Sequence, residues 1–217
     1  MKTIKVTGRG KLRVRPDMTR ISVTLEGLWP DYGETLRRSS EDTEQLRALL
    51  EPFGFARTDL KTLSFNVDTE YEGYQENNVY KQRFVGYRFR HQLKLEFDSD
   101  NALLGKLLYA LANCPVNPEF RISYTVRDSE KAKNELLGQA VRDARAKAEV
   151  LTCAAGVTLK ELQTIDYSWG QLDLEVRPMN RALMAKAEAQ ADGAYALDIE
   201  PDDIEITDTV TVIWEIS

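Results

Sequence analysis

The sequence predicts an α+β fold in which antiparallel β-sheets pack against long α-helices. Two patterns carry this prediction. The first and last segments of the chain alternate between apolar and polar residues, which is typical of strands with one buried face. A segment near residue 140 instead repeats small apolar residues every three or four positions, which is the period of a helix.

The opening segment, VTGRGKLRVRPD, has two glycines among basic residues and could be taken for a phosphate-binding loop. Such a loop needs its glycines between a strand and the start of a helix. Here Gly8 and Gly10 lie inside one alternating run, and a second alternating run follows the Pro16-Asp17 turn. We therefore predict two strands paired as an antiparallel hairpin, with glycines that mark a bulge or the close approach of another backbone.

The middle of the chain switches between helical and strand patterns. From residue 31 to residue 126 we predict a helix, two strands joined by a polar loop, a second helix and a short strand. The first helix covers residues 31–53. The two strands cover residues 63–67 and 87–97, and the polar loop between them covers residues 70–82. The second helix covers residues 101–112, and the short strand covers residues 120–126. Gly54 suits the end of the first helix, because glycine readily adopts the left-handed conformation found there.

The third helix has the clearest pattern. Asp128 is a good N-cap residue, an alanine-rich stripe runs from Ala132 to Ala155, and Gly156 ends the segment. At a rise of about 1.5 Å per residue this helix should be about 40 Å long. Because its stripe is mostly alanine, we expect it to pack closely against its neighbour.

The last part of the chain is predicted to end in a strand. Strands are also expected near residues 162–169 and 172–176, while residues 179–191 favour a helix. The final strand, residues 204–216, has an apolar face and an acidic, hydroxylated face. We predict that this acidic face lies beside the basic face of the first strand, because opposite charges on neighbouring strands attract.

Length and charge set further expectations. The 217 residues fit a single domain spanning residues 1–217, with a subdivision near residue 126 as the alternative. The net charge of −6 disfavours binding to nucleic acid or acidic membranes. No apolar run is long enough to span a bilayer. The first ten residues lack the apolar core of a secretory signal, so a cytoplasmic location is expected, or a periplasmic one if a signal has been removed.

The sequence has few residues of the types that catalyse reactions or bind metals. The one histidine, His91, falls on the apolar face of its strand, where a structural role is expected. Cys114 and Cys153 are far apart and flanked by apolar residues, which suggests two buried thiols. The acidic run at residues 198–208 lacks the spacing of a calcium-binding loop and is interpreted as a solvated turn. We predict no metal, no cofactor, no catalytic residues and no enzymatic activity.

Two surfaces are candidates for binding a partner. The first is a basic face that would form if the first strand and the strand at 87–97 were neighbours. The second is the predicted loop, whose tyrosines either form a protein interface or fold back onto the sheet. The residues of these surfaces are Arg9, Lys11, Arg13, Arg15, Arg88 and Arg90 for the basic face, and Tyr71, Tyr74 and Tyr80 for the loop.

Several segments together resemble the SIMPL-domain family, a family of unknown function. They are IKVTGRGKLRVRPDMTRISVTLEG, VGYRF, DNALLGKLLYALAN, AVRDARAKAEVLTCAAGVTLKELQTI, RPM and IEPDDIEITDTVTVIWEI. They occur in order from about Ile4 to Ile216. This chain departs from the family in its NCPV turn and in lacking the signal sequence of envelope members.

The resemblance implies an α+β fold and no known catalytic residues. It also implies bacterial relatives that are often periplasmic, some linked to protection from oxidative stress, and at least one kind that forms a ring-like oligomer. The leading hypothesis is a non-enzymatic protein that associates with copies of itself or with a protein partner. The alternative is an anion- or nucleic-acid-binding module that uses the basic face of the first strand, although both basic strands direct their aromatic residues to the opposite face.

Overall fold

The computed structural model of the chain describes residues 2–167, 174–176 and 200–217. Within these ranges the chain forms eight strands and three α-helices, and a single 3₁₀ turn, Glu51–Phe53, follows the first helix. The elements are β1 (Lys2–Val14), β2 (Met18–Trp29), α1 (Tyr32–Leu50), β3 (Lys61–Glu76), β4 (Val79–Asp98), α2 (Asn101–Ala112), β5 (Glu119–Thr125), α3 (Ser129–Ala154), β6 (Leu159–Asp166), β7 (Glu175–Val176) and β8 (Ile204–Ile216).

The mixed architecture with antiparallel sheets is confirmed, but the prediction of several long helices is not. The helices contain 19, 12 and 26 residues, so α3 alone approaches the expected length. Over the described residues the strands hold more of the chain than the helices do. The fold is therefore a strand-rich member of the α+β class.

The chain divides into two compact units. In the described part, unit 1 contains residues 2–17, 125–167, 174–176 and 201–217, and unit 2 contains residues 18–124 and residue 200. One boundary lies between Tyr124 and Thr125, beside the subdivision anticipated near residue 126. The description of residues 1–217 as a single domain stays a prediction.

In unit 1, three strands pair in the order β1-β8-β6. β1 and β8 are antiparallel along their whole length, with Lys2 opposite Ile216 and Val14 opposite Ile204. The predicted neighbourhood of the first and last strands is therefore confirmed. The even-numbered apolar residues of both strands face α3, and together they form much of this unit's core.

The predicted hairpin between the first two strands is wrong. β1 pairs with β8, whereas β2 pairs with β4 in the other sheet. At the Pro16-Asp17 turn the backbone N–H of Asp17 donates to the carbonyl of Thr125, and the Asp17 carboxylate accepts the backbone N–H of Arg127. Alternation indicates which face of a strand is buried, but it does not specify the neighbouring strand.

Gly8 and Gly10 lie in mid-strand against the middle of α3, so the phosphate-loop interpretation is excluded by their position. A Cβ atom at Gly8 would lie 2.0 Å from the carbonyl oxygen of Ala140, and one at Gly10 would lie 2.2 Å from that of Leu136. The glycines therefore provide the space in which strand and helix backbones approach each other. The predicted close approach of another backbone is confirmed.

The helix α3 itself forms as predicted. The Asp128 side chain accepts the backbone N–H of Lys131, and Gly156 adopts a left-handed φ of 67° beyond the helix end. Its buried residues recur in steps of four: Ala132, Leu136, Ala140, Ala144, Ala148 and Thr152. The small side chains of this stripe let the helix lie directly on the glycines of β1.

Unit 2 contains strands hydrogen-bonded in the order β3-β4-β2-β5, with α1 and α2. Its core holds fully buried apolar side chains from the sheet and from both helices. Phe89 lies at its centre, unexposed, and its ring stacks on that of Trp29 at a centroid distance of 5.8 Å. The predicted helices at 31–53 and 101–112 and the strand at 120–126 all form at about these positions.

The polar loop predicted at residues 70–82 is wrong. β3 and β4 continue through this segment as a two-stranded ribbon that turns at Asn77-Asn78. Both asparagines have positive φ angles, 50° and 59°, which suit a tight hairpin turn and which asparagine tolerates better than most residues. The charged and polar residues that suggested a loop are the exposed side chains of these strands.

Three other predictions are resolved only in part. The strand expected at 162–169 forms as β6, which ends at Asp166, and among the described residues 174–176 of the segment expected at 172–176, β7 covers Glu175–Val176. The predicted helix at 179–191 lies outside the described residues. Cys114 is buried as predicted, but Cys153 is exposed near the end of α3, and the two thiols are free.

Candidate interaction surface

The basic face of β1 is paired with β8, as the sequence suggested. Lys11 Nζ lies 3.3 Å from a carboxylate oxygen of Glu205, and Arg13 also forms an ion pair with that carboxylate. The guanidinium of Arg13 and the ammonium of Lys11 lower the pKa of Glu205. These two basic residues therefore have a structural role in joining the first and last strands.

Arg9 is exposed on β1, and Arg15 is exposed directly after the strand ends at Val14. β1 is an edge strand, and the backbone N–H of Arg9 donates to the Asp143 carboxylate of α3 at 2.7 Å. Lys147, which lies 2.7 Å from the same carboxylate, is the larger cause of the lowered pKa of Asp143, and the Arg9 N–H adds to it. The edge of β1 is thus tied to the helix that covers it.

The two basic strands are not neighbours, so the joint basic face predicted from the sequence does not form along one sheet. β1 belongs to the β1-β8-β6 sheet, and β4 belongs to the sheet of unit 2. On β4, Arg88 lies 3.1 Å from Glu70 and Arg90 lies 2.5 Å from Glu26. The Arg88 guanidinium lowers the pKa of Glu70.

The outer part of the β3–β4 ribbon is the most exposed regular structure of unit 2. We call residues 71–84 the arm. Every residue of the arm is exposed, on both faces of the ribbon. A two-stranded ribbon has little stability of its own in water.

The two faces of the arm differ in chemistry. Opposite residues of an antiparallel pair share a face, so the pairing of β3 with β4 assigns each side chain. The neutral face carries Tyr71, Gly73, Gln75, Tyr80, Gln82 and Phe84. The charged face carries Glu72, Tyr74, Glu76, Val79, Lys81 and Arg83.

Side-chain contacts agree with this assignment. On the neutral face the rings of Tyr71 and Phe84 meet edge to face with centroids 5.8 Å apart. On the charged face Arg83 lies 2.6 Å from Glu72, and Lys81 lies 2.5 Å from Glu76. The charged groups of the arm therefore neutralise each other in pairs, while the other face has no charge.

The neutral face continues the side of the sheet that is buried farther along. Phe89 and His91 lie on this side beneath α1. α1 covers this side of the sheet up to its own first residue, Tyr32, whose ring meets that of Tyr87 at a centroid distance of 5.3 Å. Phe84 contacts Tyr87 at 5.2 Å, so an aromatic row runs from the edge of the core onto the uncovered arm.

The three candidate tyrosines therefore do not share one face of the arm. Tyr71 and Tyr80 lie on the neutral face with exposed fractions of 56% and 82%, while Tyr74 lies on the charged face. They do not fold back onto the sheet, and their role in an interface stays a prediction. Sequence reasoning missed Phe84, because the alternation of β4 extended back from Tyr87 reaches Val85 and Arg83, and only the irregularity opposite Glu70 and Tyr71 places Phe84 on the neutral face.

His91 is held by hydroxyl groups. Its Nδ1 lies 3.1 Å from Thr43 Oγ1, and its Nε2 lies 2.9 Å from Thr62 Oγ1. The Thr43 hydroxyl already donates to the Ser39 carbonyl, so it accepts a hydrogen bond from Nδ1–H of His91, and Nε2 accepts a hydrogen bond from the Thr62 hydroxyl. Burial, and secondarily the nearby positive charge of Arg47, lower the pKa of His91 below its ordinary value of 6.5.

This geometry gives a pH prediction. The unfolded chain binds a proton at His91 near pH 6.5 and the folded chain only at lower pH. Acidification below pH 6.5 should therefore remove stability, until the folded imidazole is also protonated. Because the chain has one histidine, a single imidazole resonance followed by NMR titration reports its pKa directly. A midpoint at or above 6.5 in the folded protein would contradict the assignment.

The described residues contain no cluster of side chains for a metal ion and no helix suited to span a membrane. No group of three or more His, Cys, Asp or Glu side chains there is placed to hold a metal ion. The acidic run is only partly described, and its Glu205 and Asp208 contact Lys11, Arg13 and the Tyr167 hydroxyl. None of the helices in the described part of the chain is long and apolar enough to cross a membrane.

Comparison with known proteins matches nearly the whole chain to one family. The SIMPL family model, described as a protein of unknown function (DUF541), matches residues 4–214. Two curated relatives, from Brucella melitensis and Brucella abortus, are each named 26 kDa periplasmic immunogenic protein. Each is 26% identical over 157 residues, which cover 72% of this chain and 62% of the relative. The match thus spans less than two thirds of these relatives.

Proposed function

The chain belongs to the SIMPL family, and from this premise we propose that it is a non-enzymatic protein that acts by association, first of all with further copies of itself. The observation that carries the proposal is the arm of unit 2. Its residues are exposed on both faces, and one face presents aromatic and amide side chains without charge. Surfaces rich in tyrosine and poor in charge are typical of protein interfaces.

The described chemistry supports the non-enzymatic part of the proposal. The pair formed by Thr62 and His91 has the spacing of a nucleophile and a base, at 2.9 Å. The group on the other imidazole nitrogen is a threonine hydroxyl, whereas a catalytic triad places a carboxylate there to stabilise the imidazolium. The lowered pKa of His91 reflects burial without such a partner.

We extend the proposal to the periplasm, because both Brucella relatives are named as periplasmic proteins. A contribution to protection from oxidative stress is part of the same proposal, and its support is the family resemblance. The alternative of an anion- or nucleic-acid-binding module has weaker support. Lys11, Arg13, Arg88 and Arg90, four of its six basic residues, have acidic partners within the protein.

Sedimentation velocity over roughly micromolar to millimolar concentrations tests the proposal. We expect the weight-average mass to rise with concentration above the 24.7 kDa of one chain. A strict monomer throughout this range would reject self-association. In the same samples, binding of single-stranded DNA at low salt that is lost in Arg13→Glu plus Arg88→Glu would favour the alternative.

A further inference from the structure

We propose that the neutral face of the arm binds the same face of a second copy, in a two-fold contact. This inference rests on the proposed self-association and names its surface. In a two-fold contact the same patch is used by both copies, so residue i of one copy meets residue j of the other and the patch must be complementary to itself. With a net charge of −6 per chain, contact between identical charged surfaces is unfavourable.

The neutral face avoids this repulsion. Its six residues carry no formal charge, and the arm places every Glu, Lys and Arg from residue 71 to residue 84 on the other face. Those charges already pair within the ribbon, Arg83 with Glu72 and Lys81 with Glu76. The charged face can therefore stay in water while the aromatic face is covered.

Pairing of the ribbons edge to edge is less favourable. β3 is the edge strand of its sheet and could in principle pair with a second β3. Its last nine residues include four carboxylates and no basic residue: Asp68, Glu70, Glu72 and Glu76. An antiparallel copy would bring like charges together across the new pair, which disfavours this arrangement.

The size of the face sets the expected strength. Tyr71, Tyr80 and Phe84 are 56%, 82% and 45% exposed. At 150–250 Å² for a whole aromatic side chain, they offer roughly 350 Å² per copy. A stable interface buries about 800 Å² per partner, so this contact alone is weak and should appear only at high protein concentration.

Two substitutions of tyrosine by glutamate distinguish a contact through the neutral face from a contact through the charged face. Tyr80→Glu places a negative charge on the neutral face, and Tyr74→Glu places the same charge on the opposite face of the same ribbon. In sedimentation velocity on the intact chain, we expect Tyr80→Glu to weaken self-association at least about tenfold. Tyr74→Glu should stay within about twofold of the parent protein, because its charge does not enter the contact.

A further variant and a measurement of folding distinguish weaker association from a loss of the fold. Tyr80→Ser removes the ring without adding charge and should also weaken association, while hydrogen exchange of the buried strands shows whether the fold is kept. If the parent protein associates but Tyr80→Glu and Tyr80→Ser associate equally well, or Tyr74→Glu is equally harmful, the inference is overturned and the proposed function stands. A parent protein that stays monomeric removes both.

Discussion

Replacing Gly8 with alanine should lower the free energy of unfolding of unit 1 by about 3 kcal/mol or more, at or above the upper end of overpacking effects. A Cβ atom there would lie 2.0 Å from the carbonyl oxygen of Ala140 and 2.4 Å from the amide nitrogen of Ala144. Both are backbone atoms of α3, so relief requires the helix and the strand to separate. Such a loss corresponds to a fall in Tm of roughly 6–12 °C for a chain of this size.

Chemical denaturation measures the free energy of unfolding of Gly8→Ala and of the parent protein. Hydrogen exchange of the α3 amides reports the loss of stability in unit 1. Gly73→Ala is the matched control, because Gly73 is also a strand glycine but nothing lies within 4 Å of an added Cβ. We expect the control to change stability by no more than about 0.5 kcal/mol. Equal stability of Gly8→Ala and the parent would show that β1 and α3 do not approach as described.

The second large effect is expected in unit 2. Phe89→Ala should lower the free energy of unfolding by about 3–5 kcal/mol, since it removes a fully buried ring and leaves a cavity. The lost contacts include the stack on Trp29 and the contact with Phe65 at a centroid distance of 6.5 Å. Denaturant titration followed by tryptophan fluorescence, to which Trp29 contributes beside Trp169 and Trp214, provides the measurement.

Phe84→Ala is the matched control for Phe89→Ala, because the two phenylalanines lie on one side of the same ribbon. Phe84 is 45% exposed on the arm, so its removal should affect stability far less. The same substitution should weaken self-association, whereas Phe89→Ala acts on folding. Similar losses of stability in both variants would mean that the arm is part of the core and not a free surface.

Local patterns predicted much of this fold. Alternation located β1 and β8, and the stripe of alanines with Asp128 and Gly156 located α3. The pairing of the basic and acidic faces was also predictable, because charge on neighbouring strands must be balanced. The interpretation of Gly8 as a place of close approach followed from its position inside a strand.

The pairing of distant strands could not be predicted in the same way. β2 was expected beside β1, but it lies between β4 and β5, and no local feature of residues 18–29 specifies these neighbours. The arm was missed for a different reason. Its strands are exposed on both faces, so the polar composition of residues 70–82 resembles a loop although the backbone is extended.

The candidate site was predicted in part. Tyr71 and Tyr80 were identified by residue type, but their separation from Tyr74 depends on which face each side chain occupies. That assignment needs the turn at Asn77-Asn78 and the irregularity between Glu70 and Tyr71, which fix the pairing of the two strands. Neither feature is specified by composition.

The central claim, that the protein acts through contact between neutral arm faces, is tested most directly by distances between spin labels. The labels are placed at Gln82→Cys, on the neutral face, or at Lys81→Cys, on the charged face, with the exposed Cys153 changed to serine. Facing sheets pack about 10 Å apart, so at high concentration the Gln82 labels should lie roughly 10 Å or more closer than the Lys81 labels. Equal distances for the two positions, or no dipolar coupling at any concentration, would contradict the claim.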